Sequence, residues 1–125
     1  MWRMKKEYVR QVVVFEEYFK EFRKTLDRET LMKLYQVLTL IMTVEVVPVK
    51  FLKAIEGRTG LFEIRMEHGR NIYRVFCCFD EGNLVILFNG FQKKTQRTPK
   101  EQIDKAELLM KKYFEHKTKL DNESE

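Results

Sequence analysis

The run Ile72-Tyr73-Arg74-Val75-Phe76-Cys77-Cys78-Phe79 is apolar at odd and even positions alike, and Arg74 alone breaks it. Successive side chains of a strand point to opposite faces, so a run of this kind suits a strand with neighbours on both sides. It is therefore expected at the centre of a sheet. Its flanks carry the same period. Phe62, Ile64 and Met66 alternate with Glu63 and Arg65 before it, and Leu84 to Phe88 is wholly apolar after it. Turn residues at 67–70 and 80–83 separate the three runs, which predicts a three-stranded antiparallel meander.

Helical spacing surrounds this meander. Residues 8–14 are rich in β-branched side chains and read as a first strand. Phe15, Tyr18, Phe19, Phe22 and Leu26 then recur with a helical period. Asp27 reads as the N-cap of a second helix, whose stripe is Leu31, Leu34, Tyr35, Leu38, Ile41 and Met42. The short break predicts an antiparallel helix pair. Pro48 ends that region, and residues 49–56 are expected to form one short helical turn. Thr98, Pro99 and Glu101 open a last helix as cap, first-turn proline and capping box. Ile103, Ala106, Met110 and Tyr113/Phe114 are its expected buried stripe, and 120–125 its frayed acidic end. The order β-α-α-β-β-β-α predicts an α+β fold: a small antiparallel sheet packed against an N-terminal helix pair, with a C-terminal helix. The 125 residues suffice for one domain, 1–125, around one core.

The net charge of +5 draws the chain to polyanions, unless it serves solubility alone. No apolar run approaches the length that spans a bilayer, and the basic start Met1-Trp2-Arg3-Met4-Lys5-Lys6 makes a poor signal peptide. Adjacent Cys77 and Cys78 point to opposite faces of a strand and read as small core residues in a reducing cytoplasm. The isolated His68 and His116 give no metal-binding pattern, and no cofactor motif is present.

The common catalytic signatures are missing too, and Glu16/Glu17 and Asp80/Glu81 belong to a helix surface and a turn. What remains is basic. Between Lys50 and Lys100 there are ten cations against five acids, an excess equal to that of the whole chain. Arg65 and Arg74 fall on neighbouring strands. A guanidinium at position 74 needs a partner, for which Glu63 is available, or a solvent-lined groove where it can meet an anion. Lys93, Lys94 and Arg97 follow the last strand, at a sheet mouth where they could grip phosphates. Phe91, beside Gly90, is either a stacking platform for a nucleobase or the last core residue of its strand.

Leu61-Phe62-Glu63-Ile64-Arg65, Asn71-Ile72-Tyr73-Arg74-Val75-Phe76 and Phe88-Asn89-Gly90-Phe91-Gln92-Lys93-Lys94-Thr95 with Thr98-Pro99 resemble the RelE/HigB family of bacterial toxins, and most of all its phage-derived HigB-like branch. The resemblance covers nearly the whole chain. It implies a twisted sheet on N-terminal helices and a type II toxin-antitoxin pair. The implied toxin is a cytoplasmic endoribonuclease that enters the ribosomal A site and cuts mRNA without a metal or cofactor. The implied partner is a cognate antitoxin, usually a helix-turn-helix protein, through which alone the toxin reaches operator DNA. Carried over residue by residue, the resemblance gives Arg65 and Arg74 as phosphate clamps. Lys93 or Lys94 would activate the 2′-OH or protonate the leaving oxygen, and Asn89, Phe91, Gln92, Thr95 and Arg97 would bind RNA. Asn89 stands where that branch often has histidine. Two alternatives share the fold: a translation blocker that binds RNA or the ribosome without cutting, and a ParE-like gyrase inhibitor.

Overall fold

The computed structural model describes residues 8–124, with side chains as far as Leu120; residues 1–6 of the basic start and Glu125 lie outside the described residues. The elements run β1 (Gln11–Val14), α1 (Tyr18–Lys24), α2 (Arg28–Thr43), β2 (Leu52–Ala54), β3 (Phe62–His68), β4 (Asn71–Asp80), β5 (Leu84–Lys93) and α3 (Lys100–Ser124). The fold is α+β, as expected, but its sheet has five strands in the order β1-β5-β4-β3-β2. The meander β3-β4-β5 forms as predicted. The other two strands correct the expectation. β1 pairs parallel with β5, so the sheet is mixed and not wholly antiparallel. Residues 49–56 do not stay helical. One turn closes where the Phe51 and Leu52 amides donate to the Pro48 carbonyl, and then β2 pairs with β3.

The first strand is also shorter than expected, because the chain just before it is committed elsewhere. The Val9 and Arg10 amides donate to the Met42 carbonyl at the end of α2. The Arg10 guanidinium donates to the carbonyls of Ile41, Val44 and Glu45 at 3.0, 2.7 and 2.7 Å. It thereby caps a helix end whose last turn has no basic residue of its own. At the other end of α2 the expected cap is present. The Asp27 carboxylate accepts from the Thr30 amide at 2.8 Å, and this bond holds its pKa below the usual 3.8.

The sheet is covered on both faces, not one. Phe19 and Phe22 of α1 and Leu34, Val37, Leu38 and Ile41 of α2 pack on Ile64, Met66, Tyr73, Val75, Cys77, Val85 and Leu87. Ala106 and Leu109 of α3 pack on the opposite face, against Leu61, Phe76, Cys78, Ile86 and Phe88. Two cores explain why β4 is apolar on both sides. They also separate the two cysteines, each buried and free in its own core. Burial pushes the Cys78 thiol up to about 12 and raises Cys77 as well, so neither is a reactive thiolate. In the stripe of α3, Leu109 is buried where Phe114 had been expected, and Phe114 is exposed. The helix runs to Ser124.

A polar lock fixes the far end of α3. The Tyr113 hydroxyl donates to Asp80 at 2.7 Å, and the Lys117 ammonium reaches both Asp80 oxygens at 2.9 and 3.0 Å. Burial alone would raise the Asp80 carboxyl, but these donors outweigh it and hold the pKa below 3.8. A carboxylate depressed in the folded state stabilises the fold above its unfolded pKa, and that stabilisation is lost as pH falls through the folded value. Asp80→Asn is therefore expected to cost about 1–2 kcal/mol at neutral pH. Thermal melts of the two proteins should converge in acid, and a gap that persists there would show the lock is not electrostatic.

Candidate functional site

Helix α3 covers only part of its face of the sheet. On the uncovered part, strand alternation sets Lys53 of β2 beside Glu63 of β3, and Arg65 of β3 beside Arg74 of β4. Arg74 in turn sits opposite Phe91 of β5. One irregularity decides what joins them. Val75 pairs with Gly90 but Cys77 pairs with Leu87, so Phe76 faces two residues, Phe88 and Asn89. Such a bulge reverses the alternation beyond it. Counted from Ile86 without the bulge, Gln92 would share a face with Arg74. With it, Phe91 and Lys93 do, and Gly90 turns its bare side to Phe22 of α1.

The cluster is built around a buried carboxylate. Glu63 is 7% exposed and Arg74 4%. One Glu63 oxygen lies 3.3 Å from Arg65 Nε and 3.6 Å from Arg74 Nε. The ion pair that the sequence allowed for Arg74 is thus made, and Arg65 shares it. Neither Nε makes a well-directed hydrogen bond among the described residues. Arg74 Nη1 donates to the Tyr73 carbonyl at 3.0 Å. One carboxylate does not neutralise two arginines, and Lys93 and Lys53 add to the excess. The electrostatics follow from this surplus. Burial lowers the Arg74 pKa, and the Arg65 charge lowers it further. Burial together with the Arg74 charge lowers that of Lys93 below 10.5. A lysine in this setting gives up its proton more readily than a solvated one, and the half-solvated Arg65 beside it offers a fixed positive field.

Of the residues proposed from sequence, the sheet gathers Arg65, Arg74, Lys93 and Phe91 on one face. Phe91 is half-buried and stacks on Phe76, with ring centroids 5.7 Å apart and planes 21° from parallel. Lys94, Thr95 and Arg97 lie beyond the strand in an exposed segment, where the Thr95 hydroxyl donates to the Arg97 carbonyl at 2.7 Å. Gln92 is on the other face and donates to Asn71 at 3.2 Å. Asn89 is buried at 3% exposure and turned to α3. Its amide donates to the carbonyl and to the side chain of Gln102, at 3.2 and 3.0 Å. It anchors the start of that helix, and its own oxygen has no hydrogen-bond partner among the described residues. Sequence reasoning had counted Lys53 only as one basic residue among ten. Its position beside Glu63 depends on β2, which leaves no periodic signal.

A RelE-like α+β fold whose sheet carries an open cationic cluster is the class this geometry defines. Residues 17–111 match the family model described as Phage derived protein Gp49-like. The match spans well over half of the chain, and the chain belongs to that family, within the RelE/ParE-like toxin superfamily. Members are commonly the toxins of toxin-antitoxin pairs, which implies a cognate antitoxin as partner. No curated protein matches the chain significantly. Among the described residues, no helix is long and apolar enough to cross a membrane.

Proposed function

We propose that the chain is a type II toxin of the RelE/HigB kind, an endoribonuclease that cuts mRNA in the ribosomal A site. The observation that carries this reading is the pairing of Arg65 with Arg74 on adjacent strands, with Lys93 on the same face and Glu63 as the one carboxylate in contact with both arginines. In metal-free RNA cleavage the 2′-oxygen attacks the adjacent phosphorus. The P–O2′ bond forms as the P–O5′ bond breaks, leaving a cyclic phosphate and a 5′-hydroxyl. A proton leaves the 2′-OH and another reaches the departing 5′-oxygen. Charge grows on the phosphoryl oxygens, and fixed cations aimed there lower the barrier. Arg65 and Arg74 are the clamps in this scheme. The lowered pKa of Lys93 supports a role for it in moving one of the two protons.

The toxin acts in the cytoplasm and is silenced by a helix-turn-helix antitoxin, through which it reaches operator DNA. A second reading has support from Asn89. An amide tied to Gln102 transfers no proton, which favours a binder that blocks translation without cutting. Primer extension on a reporter mRNA in a reconstituted translation system separates the two. New 5′ ends that require both protein and ribosomes are the expected result. Intact mRNA with stalled translation would replace the nuclease by the blocker. Intact mRNA with normal translation would overturn both and direct attention to gyrase.

A further inference from the structure

Beyond Ile64 the sheet edge opens. β2 ends its pairing there, the Phe51 carbonyl takes the Arg65 amide, and no strand among the described residues continues along β3. A groove of about 410 Å³ lies at this edge, between α2 and the strand. Lys33 of α2, Lys50, Arg65 and Arg74 line it, with Phe51 and Met66 among its apolar residues. The sole carboxylate lining it is Glu67. Lys33 and Lys50 are exposed, and neither forms an ion pair among the described residues; the Lys50 ammonium stands 5.6 Å from the Phe51 ring centre. Arg65 and Arg74 belong to this groove and to the cluster around Glu63 alike. The groove therefore continues the cationic face around the edge of the sheet.

We infer that this groove is a subsite for single-stranded RNA, in which Lys33 and Lys50 hold the phosphates next to the one clamped by Arg65 and Arg74. The inference rests on the reading of the cluster as a phosphate site. Four cations against two carboxylates, Glu67 in the groove and Glu63 behind the arginines, leave a surplus that fits a polyanion. An aromatic ring beside the cations fits a base that rests on it while its phosphate is held. The volume suits one nucleotide unit and not a folded element. Lysines at two separate places, one on a helix and one after Pro48, track a backbone and do not make a single-ion trap.

The test is the affinity of the full chain for a fluorescent single-stranded RNA oligonucleotide as a function of salt. The comparison is between wild type, Lys33→Ala/Lys50→Ala, and a control pair on α3, Lys111→Ala/Lys119→Ala. Each lost phosphate contact should lower the slope of log K against log salt by about 0.7, so the groove pair should lose roughly 1.4 and the control pair nothing. Circular dichroism confirms folding. An unchanged slope in the groove pair overturns the inference, as does wild type that fails to bind RNA even at low salt. Loss of binding to a short glutamate-rich peptide, with RNA binding intact, would also overturn it and give the groove to an acidic protein segment. Binding is read apart from cleavage. A wild type that cuts nothing, yet loses slope in the groove pair, would sink the nuclease reading and leave the subsite standing.

Discussion

Gly90→Ala is expected to destabilise the protein by about 1–3 kcal/mol, with a fall in Tm of several degrees. The residue needs no unusual backbone conformation; what it needs is space. A Cβ at position 90 would lie 2.5 Å from Cδ2 of Phe22 and 2.7 Å from its Cγ. The ring cannot easily withdraw. It is 7% exposed and held between Phe19 and Tyr73, with ring centres 6.5 and 6.3 Å away. Helix α1 therefore docks on bare backbone, and a methyl group there would force the helix outward. Phe22→Leu in the same background should recover part of the loss, because the smaller side chain vacates the methyl's place. A double-mutant cycle from denaturant unfolding measures this coupling. Additive losses would show that Gly90 matters for some reason other than Phe22.

The same strand shows how far the sequence could be read. The central strands were legible because β3, β4 and β5 each carry a clear period or an unbroken apolar run. Arg74 stood out because it places a guanidinium inside an apolar run, where charge requires a reason. Arg65 fell at a polar position of an alternating strand and came into view through its neighbour on the next strand and the family resemblance. β2 was not legible. In three residues only Leu52 turns inward, too few to show an alternation, and its pairing depends on β3. The parallel pairing of β1 escaped for a related reason, since Gln11 meets Leu84 across most of the chain and no local pattern encodes that. The bulge at Phe88-Asn89, opposite Phe76, had the largest consequence. Nothing in Phe88-Asn89-Gly90 announces an extra residue, yet it decides that Lys93 and not Gln92 shares a face with Arg74. It also turns Asn89 inward to α3, so a residue assigned to RNA from family resemblance is a helix anchor in the fold.

Arg74→Met should lower the rate of ribosome-dependent mRNA cleavage by about 10²–10³-fold, or roughly 3–4 kcal/mol of transition-state stabilisation. Growth arrest on expression should be lost with it. Methionine keeps a buried stem of similar length beside Phe91, the cross-strand neighbour, and removes the charge. Glu63 keeps Arg65 as its partner at 3.3 Å, which limits the cost of leaving a buried carboxylate. Far-ultraviolet circular dichroism and a cooperative melt check that the variant is folded. Arg74→Lys tests the chemistry further. A lysine restores the charge but not the planar fork of donors, one of which is already directed to the Tyr73 carbonyl. If Arg74 stabilises charge on two phosphoryl oxygens at once, Arg74→Lys recovers RNA binding far better than cleavage. Full recovery of cleavage would mean that position 74 supplies only a positive field. Undiminished cleavage by a folded Arg74→Met would remove Arg74 from the reaction and leave it as the structural partner of Glu63.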